Sequence, residues 1–151
     1  MAQIQFYHLL TTPLERALPR LLEKAVSGGY RVLLVAGSEE QAEHLNQWLW
    51  TYDPGSFLAH GTIKDGHAEK QPVFLSTTFD APNQANLLAV TSGAMPERPE
   101  AFERILDIFD GNAPQMVEEA RKRWKNYKES GHTISYLRQT ESGGWEQKAV
   151  A

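Results

Sequence analysis

The stretch Arg31-Val32-Leu33-Leu34-Val35-Ala36 decides the fold, because its unbroken aliphatic run stands between Gly29 and Gly37. A continuous apolar run without alternation is typical of a strand buried on both faces, as in a parallel sheet covered by helices. We therefore expect this segment at the centre of a mostly parallel sheet.

Helical patterns lie on both sides of this strand. Before it, Thr12-Pro13-Leu14-Glu15 resembles a capping box with proline at the first helical position, and Gly28-Gly29 ends the helical apolar repeat. After it, Ser38-Glu39-Glu40-Gln41 is a second capping-box pattern. Because Ile4–Tyr7 alternates like a strand, the first third of the chain predicts strand, helix, strand, helix. This order predicts parallel strands joined by right-handed crossovers.

The second half continues the α/β pattern. Apolar runs at Val73–Ser76 and Leu87–Val90 predict two more strands. A helix is expected from Asn112 to about Lys128, ended by Gly131, and Thr133–Tyr136 predicts a closing strand.

Three segments are less regular. Glu100–Asp110 fits a helical apolar spacing and equally a buried strand over Ile105–Phe109. Residues 61–71 are polar and predict a loop, and the polar segment 140–151, with its glycine pair, predicts a mobile tail. The sequence thus predicts one α/β domain over residues 1–139 and a flexible C-terminal tail over residues 140–151.

Composition and motifs argue against several classes of enzyme. The chain of 151 residues carries a net charge of −4 and no cysteine, which excludes thiolate nucleophiles and thiolate metal sites. The turn Leu9-Leu10-Thr11-Thr12 contains no glycine, so the dinucleotide fingerprint is absent, as is a Gly-Lys-Ser/Thr element. The five histidines show no metal-ligand spacing. We expect no cofactor, no metal and no catalytic activity. An enzyme on this scaffold is the third hypothesis, after the two binding functions described below.

Targeting signals are also missing from the sequence. The N-terminus lacks a basic region followed by a long apolar run, and no segment is long and apolar enough to span a bilayer. We expect a cytoplasmic protein without membrane contact.

The segment Arg121-Lys122-Arg123-Trp124-Lys125-Asn126-Tyr127-Lys128 concentrates positive charge. It carries five of the 15 basic residues and no acid, which leaves ten bases against 19 acids elsewhere. On a helix, one face groups Arg121, Trp124, Lys125 and Lys128. The adjacent stripe, expected to face the core, groups Met116, Ala120 and Tyr127. The basic face can pair carboxylates while the indole packs an apolar side chain, or pair phosphates and stack bases. The alternative involves no ligand: the basic residues are solvated at the C-terminal end of the helix, where their charge complements the helix macrodipole.

A second cluster places four aromatic residues within ten positions: Trp48, Trp50, Tyr52 and Phe57. Trp48 continues the buried stripe of the second helix. Trp50 and Phe57 either cover the end of the sheet or form the wall of a hydrophobic pocket.

Taken together, these stretches resemble the chi subunit family of bacterial DNA polymerase III holoenzyme. The resemblance rests on Phe6-Tyr7-His8-Leu9, Leu49-Trp50 followed by Ser56-Phe57-Leu58-Ala59-His60, Gln71-Pro72-Val73, and Ala120–Tyr127 followed by Gly131. These stretches occur in the order and with the spacing of the family across about residues 3–138.

The resemblance implies a Rossmann-like three-layer sandwich without nucleotide chemistry, and a strand over Ile105–Phe109. It also implies a non-catalytic replisome adaptor in the clamp-loader assembly. Such an adaptor binds the acidic C-terminal peptide of single-stranded DNA-binding protein, which ends in Pro-Phe. Further partners implied are the clamp loader, in many members through a small psi subunit, and DNA indirectly. The implied peptide-binding residues are Trp50, Phe57, Arg121, Trp124, Lys125 and Lys128.

By analogy with the family, Arg121 and Lys125 meet the peptide carboxylates, while Trp124 shares a pocket with Trp50 and Phe57. Two positions depart from the pattern: Val117 stands where some members carry a base, and Trp124 stands where others carry tyrosine. The alternative hypothesis is a direct single-stranded nucleic-acid-binding module that uses the same helix. The acidity of the whole chain disfavours it, because non-specific binding needs several phosphate contacts.

Overall fold

One mostly parallel sheet organises the computed structural model, which describes residues 2–52 and 59–150 and, for residues 149 and 150, the backbone only. The described strands are β1 (Gln3–Leu9), β2 (Val32–Val35), β3 (His60–Gly61), β4 (Val73–Ser76), β5 (Leu87–Val90), β6 (Arg104–Asp110), β7 (Thr133–Gln139) and β8 (Trp145–Val150). The described helices are α1 (Leu14–Ser27), α2 (Glu39–Thr51) and α3 (Pro114–Glu129). Short 3₁₀ turns occupy Ile63–Asp65, Ala68–Lys70 and Pro99–Ala101.

The strands follow the order β3-β4-β2-β5-β6-β1-β7-β8 within the described part of the chain. Each neighbouring pair is parallel except β7 and β8, which are antiparallel. The prediction of a buried interior strand at Arg31–Ala36 is confirmed, because β2 lies between β4 and β5 with all four residues buried. The prediction that this strand lies at the centre of the sheet is wrong, because β5 and β6 form the middle pair of the described strands.

Helices cover both faces of the sheet and produce the three-layer sandwich that was predicted. Buried residues of α1 and α2, including Leu18 and Leu45, pack with Leu34 of β2 on one face. On the opposite face, Ala120 and Tyr127 of α3 pack with Phe6 and Ile105. The ambiguous segment resolves as predicted into strand β6, which follows the 3₁₀ turn at Pro99–Ala101.

Two sequence predictions are wrong, one at the start of α1 and one after the end of β7. Thr12 does not cap α1: the N-cap is Pro13, without a side-chain cap, and the Thr12 hydroxyl accepts a hydrogen bond from Gln139 Nε2 at 2.7 Å. The segment after residue 139 is not simply a mobile tail, because β8 pairs with β7 and Trp145 packs edge-on against Tyr7 at 4.9 Å. The glycine pair there belongs to the turn of a hairpin, with Gly143 at φ +87°.

The turn between β1 and α1 is held by one buried side chain. Gln139 Oε1 accepts hydrogen bonds from three successive backbone N–H groups, those of Leu10, Thr11 and Thr12, at 2.8–3.0 Å. Adjacent backbone N–H groups at a strand-to-helix turn are the donors that bind phosphate in nucleotide-binding folds. In this protein an internal amide oxygen satisfies them instead.

Gln139→Ala should destabilise the protein, because it leaves these three N–H groups without their shared acceptor. We expect the free energy of unfolding, measured by chemical denaturation, to fall by about 1–3 kcal/mol. Gln147→Ala, an exposed glutamine on the paired strand β8, is the control and should change it by less than about 0.5 kcal/mol. Equal stability of Gln139→Ala and Gln147→Ala would show that the turn does not depend on Gln139.

Candidate functional site

A buried ion pair sets the orientation of α3 on the sheet. Arg123 donates to Asp107 of β6 through Nε at 2.6 Å and Nη2 at 3.0 Å, and the two side chains are 7% and 1% exposed. Burial raises the pKa of Asp107, and the hydrogen bonds and charge of Arg123 oppose that shift. Ala120 and Tyr127, one turn to either side, are also buried. Together these residues fix the inward face of the helix.

This orientation corrects one part of the predicted helix surface and shows which cation of the basic segment is buried. Arg123 belongs to the core contact with Asp107 and is lost from the exposed basic set. Met116 was expected to face the core but is 49% exposed, because it lies in the first turn of α3, beyond the buried stripe. Ala120 and Tyr127 face the core as predicted.

The remaining cations of the helix point to solvent. Arg121, Lys125 and Lys128 are exposed, and no ion pair to any of them occurs within residues 2–52 and 59–150. Trp124 lies beside them, half-buried, with its ring 5.8 Å from both Phe6 and Tyr136. The structure therefore brings together four of the predicted site residues as one surface, the α3 face: Arg121, Trp124, Lys125 and Lys128.

Trp50 does not join the α3 face. It is 51% exposed near the end of α2, where its ring lies 4.4 Å from the ring of His60 in the edge strand β3. Because α2 and α3 cover opposite faces of the sheet, the pocket predicted between Trp50 and Trp124 is not formed. Phe57, the third residue predicted for that pocket, lies outside the described residues.

Three residues that the sequence reasoning missed adjoin the α3 face: His8, Tyr136 and Arg138. His8 Nδ1 is hydrogen-bonded to the Tyr136 hydroxyl, and Tyr136 packs against Trp124. In the sheet register His8 lies between Phe109 of β6 and Arg138 of β7. The alternation along β1 and β7 could have placed these side chains on one face, but only once the pairing of the two strands was known.

The electrostatic environment of these residues is positive. Burial lowers the pKa of His8, and the charges of Arg138 and Arg121 lower it further, whereas a hydrogen bond with the Gly111 backbone and the Asp110 charge raise it. Burial raises the pKa of Tyr136, while the same two arginines act in the opposite direction. Arg121 and Arg138 therefore act on the same two polar groups from different elements.

Other kinds of site find no support in the described residues. No group of three or more histidine or acidic side chains there could hold a metal ion. No helix among these residues is long and apolar enough to cross a bilayer.

The fold and the α3 face define a class of protein: an α/β sandwich whose exposed chemistry is a basic and aromatic helix rather than a phosphate-binding turn. The family model described as DNA polymerase III chi subunit, HolC, matches residues 1–135. The chain therefore belongs to the DNA polymerase III chi subunit family, which places it among the proteins of DNA replication.

Three curated relatives agree with this assignment. The chain is 30% identical over 117 residues to the probable DNA polymerase III subunit chi of Rickettsia prowazekii (strain Madrid E), covering 73% of this chain and 71% of that one. It is 27% identical over 135 residues to DNA polymerase III subunit chi of Haemophilus influenzae (87% and 93% covered). It is 26% identical over 115 residues to the Pseudomonas aeruginosa subunit (76% and 79% covered).

Asp107→Asn should destabilise the fold strongly, because it leaves the Arg123 guanidinium buried without a counter-charge. We expect the free energy of unfolding to fall by about 3–5 kcal/mol in chemical denaturation. The double variant Asp107→Leu/Arg123→Met removes both charges and should recover most of that loss. If Asp107→Asn were as stable as wild type, the ion pair would not anchor α3.

Proposed function

We propose that this protein is a non-catalytic replisome adaptor that binds the acidic C-terminal peptide of single-stranded DNA-binding protein on the α3 face. The observation that carries the proposal is the exposure of Arg121, Lys125 and Lys128 around a half-buried Trp124. The whole chain has a net charge of −4, so an acidic partner is repelled by most of the molecule and is attracted only by a basic surface such as the α3 face.

The geometry suits a short peptide with acidic residues and an apolar carboxyl end. Arg121 presents a planar fork of donors that can hold a carboxylate through two parallel hydrogen bonds. Lys125 and Lys128 lie one and two turns further along the helix and supply charge to upstream acids. Trp124 offers an apolar surface beside these cations, against which a terminal phenylalanine side chain can pack.

The proposed site does not include Trp50. Its place on the opposite face of the sheet leaves that face available for other contacts. We propose that the adaptor meets the clamp loader, directly or through a psi-like subunit, without competing for the α3 face. Phe57 stays a prediction from sequence.

A non-catalytic role is supported by the residues at the topological switch point, where two adjacent strands lead to helices on opposite faces of the sheet. α1 follows β1 on one face and α3 follows β6 on the other, so the carboxyl ends of these adjacent strands border a crevice where open α/β sheets bind ligands. A cavity of about 520 Å³ lies there, but Glu15 and Asp110 line it. The adjoining N–H groups are already bonded to Gln139. Both features disfavour a nucleotide phosphate.

The second candidate function is direct binding of single-stranded nucleic acid. The same observation supports it, because cations beside an exposed aromatic edge also pair phosphates and stack bases. Titration with an oligonucleotide of mixed sequence separates the two functions. We expect binding at least about tenfold weaker than that of the peptide, because only a few phosphates could be contacted at once.

Arg121→Ala should weaken binding of the acidic peptide by about 1.5–3 kcal/mol in calorimetry, through loss of a charge-assisted hydrogen bond. Trp124→Ala should cost a similar amount through lost apolar contact. Lys24→Ala is the matched charge control, because Lys24 is exposed near the end of α1 on the opposite face of the sheet, and it should bind nearly as wild type. Trp50→Ala should likewise keep wild-type affinity.

The proposed site is wrong if Arg121→Ala and Trp124→Ala remain folded and bind the peptide like wild type. Loss of binding in Trp50→Ala alone would instead move the site to the opposite face of the sheet.

A further inference from the structure

The α3 face continues onto the sheet through β7. Ile134 and Tyr136 pack in the core beneath α3, whereas Leu137 packs on the opposite face, so strand alternation places Arg138 on the α3 side. Arg138 is exposed, and its register partner in β1 is His8. Tyr136 and Arg138 lie beyond residue 135, where the match to the family model ends.

His8 is held in one orientation between Tyr136 and Gly111. Its Nδ1 is hydrogen-bonded to the Tyr136 hydroxyl, and the Nε2 side of the ring lies against the backbone of Gly111. A Cβ atom at position 111 would overlap the imidazole, so a glycine is required there. The ring also packs edge-on against Phe109 at 5.1 Å, and the residue is 9% exposed.

Charged groups face this pair from four elements. Arg121 comes from α3, Arg138 from β7 and Asp110 from the end of β6. On β8, Glu146 lies opposite Arg138, and its Oε1 is 3.2 Å from Lys148 Nζ. Lys148 thus pairs with the acid that stands opposite Arg138. Asp107 of β6 also acts on Tyr136, and its charge is paired with that of Arg123.

We propose that Tyr136 and Arg138, together with Arg121, form a second carboxylate-binding point for the acidic peptide, and that His8 makes this point dependent on protons. The inference rests on the proposed function and extends it to residues outside α3.

The hydrogen bond between His8 and Tyr136 supplies the proton dependence. In the proposed arrangement the hydrogen of the neutral His8 ring lies on Nε2, the side that faces the Gly111 backbone, and Nδ1 faces the Tyr136 hydroxyl. In the neutral ring, Nδ1 then accepts the hydroxyl hydrogen of Tyr136. When His8 takes a proton from solvent, Nδ1–H donates to the tyrosine oxygen instead. The hydroxyl hydrogen of Tyr136 becomes available to a ligand carboxylate.

The direction of the linkage follows from the charges. In the free protein, burial and the two arginines lower the pKa of His8. A bound carboxylate offsets the arginine charges and stabilises the imidazolium, so the pKa rises on binding. Binding therefore takes up a proton, and affinity increases as pH falls from the bound-state pKa to the free-state pKa.

The test measures affinity for the acidic peptide across about pH 5.5–7.5, one unit on either side of the pKa of an ordinary histidine. Arg138→Gln should bind about tenfold more weakly, as expected for loss of one charge-assisted contact. Tyr136→Phe keeps the ring against Trp124 and should bind about threefold to tenfold more weakly at the acid end. Arg98→Gln removes an arginine that pairs with Glu100 away from this surface, and should match wild type at every pH.

Proton linkage is measured on the wild-type protein, so it does not depend on a variant that folds. The NMR titration of the His8 ring should show a higher pKa with peptide than without it, while the ring signals of exposed His67 do not move when peptide is added. An unchanged His8 pKa overturns the linkage. Wild-type affinity in Arg138→Gln and Tyr136→Phe, with weakened binding in Arg121→Ala, overturns the second binding point and leaves the proposed function standing. Absence of peptide binding by wild type overturns both.

Discussion

The ion pair between Asp107 and Arg123 is the contact on which the functional surface depends. A helix with four other cations around a tryptophan could rotate to present several different faces, and its apolar stripe is narrow. The two hydrogen bonds to a buried carboxylate select one rotation. Arg121, Lys125 and Lys128 then face solvent, and Trp124 leans on the aromatic residues Phe6 and Tyr136. A buried pair adds little net stability compared with an apolar contact, so its contribution here is to orientation.

A second internal polar contact explains why a sheet with Rossmann-like topology carries no phosphate-binding turn. In this fold the backbone N–H groups after the first strand are the donors available to an anion. Gln139 of β7 accepts hydrogen bonds from three of these N–H groups. The three hydrogen bonds join β7 to the turn that precedes α1. The exposed chemistry lies instead on α3 and β7, on the other side of the sheet.

Local patterns were enough to predict most of the fold. Continuous aliphatic runs identified β2, β4 and β5, and helical spacing identified α3 and its basic face. Strand β3 spans two residues and β8 is polar, so neither carries a periodic signal. The pairing of Asp107 with Arg123 joins two elements and needs the tertiary structure. The separation of Trp50 from Trp124 follows from strand order. Right-handed crossovers that run in opposite directions along a sheet place their helices on opposite faces, and the order was not known from sequence.

The tryptophan that contacts the acidic peptide distinguishes the α3 face from the opposite face of the sheet. The chain has four, Trp48, Trp50, Trp124 and Trp145, so a ¹H–¹⁵N spectrum should give four indole signals that single substitutions can assign. During titration with the peptide, the Trp124 indole signal should shift and saturate at the calorimetric affinity, while the Trp50 signal keeps its position. A saturable shift of Trp50 with Trp124 unchanged would contradict the account, because the peptide would then lie on the face of the sheet opposite to α3.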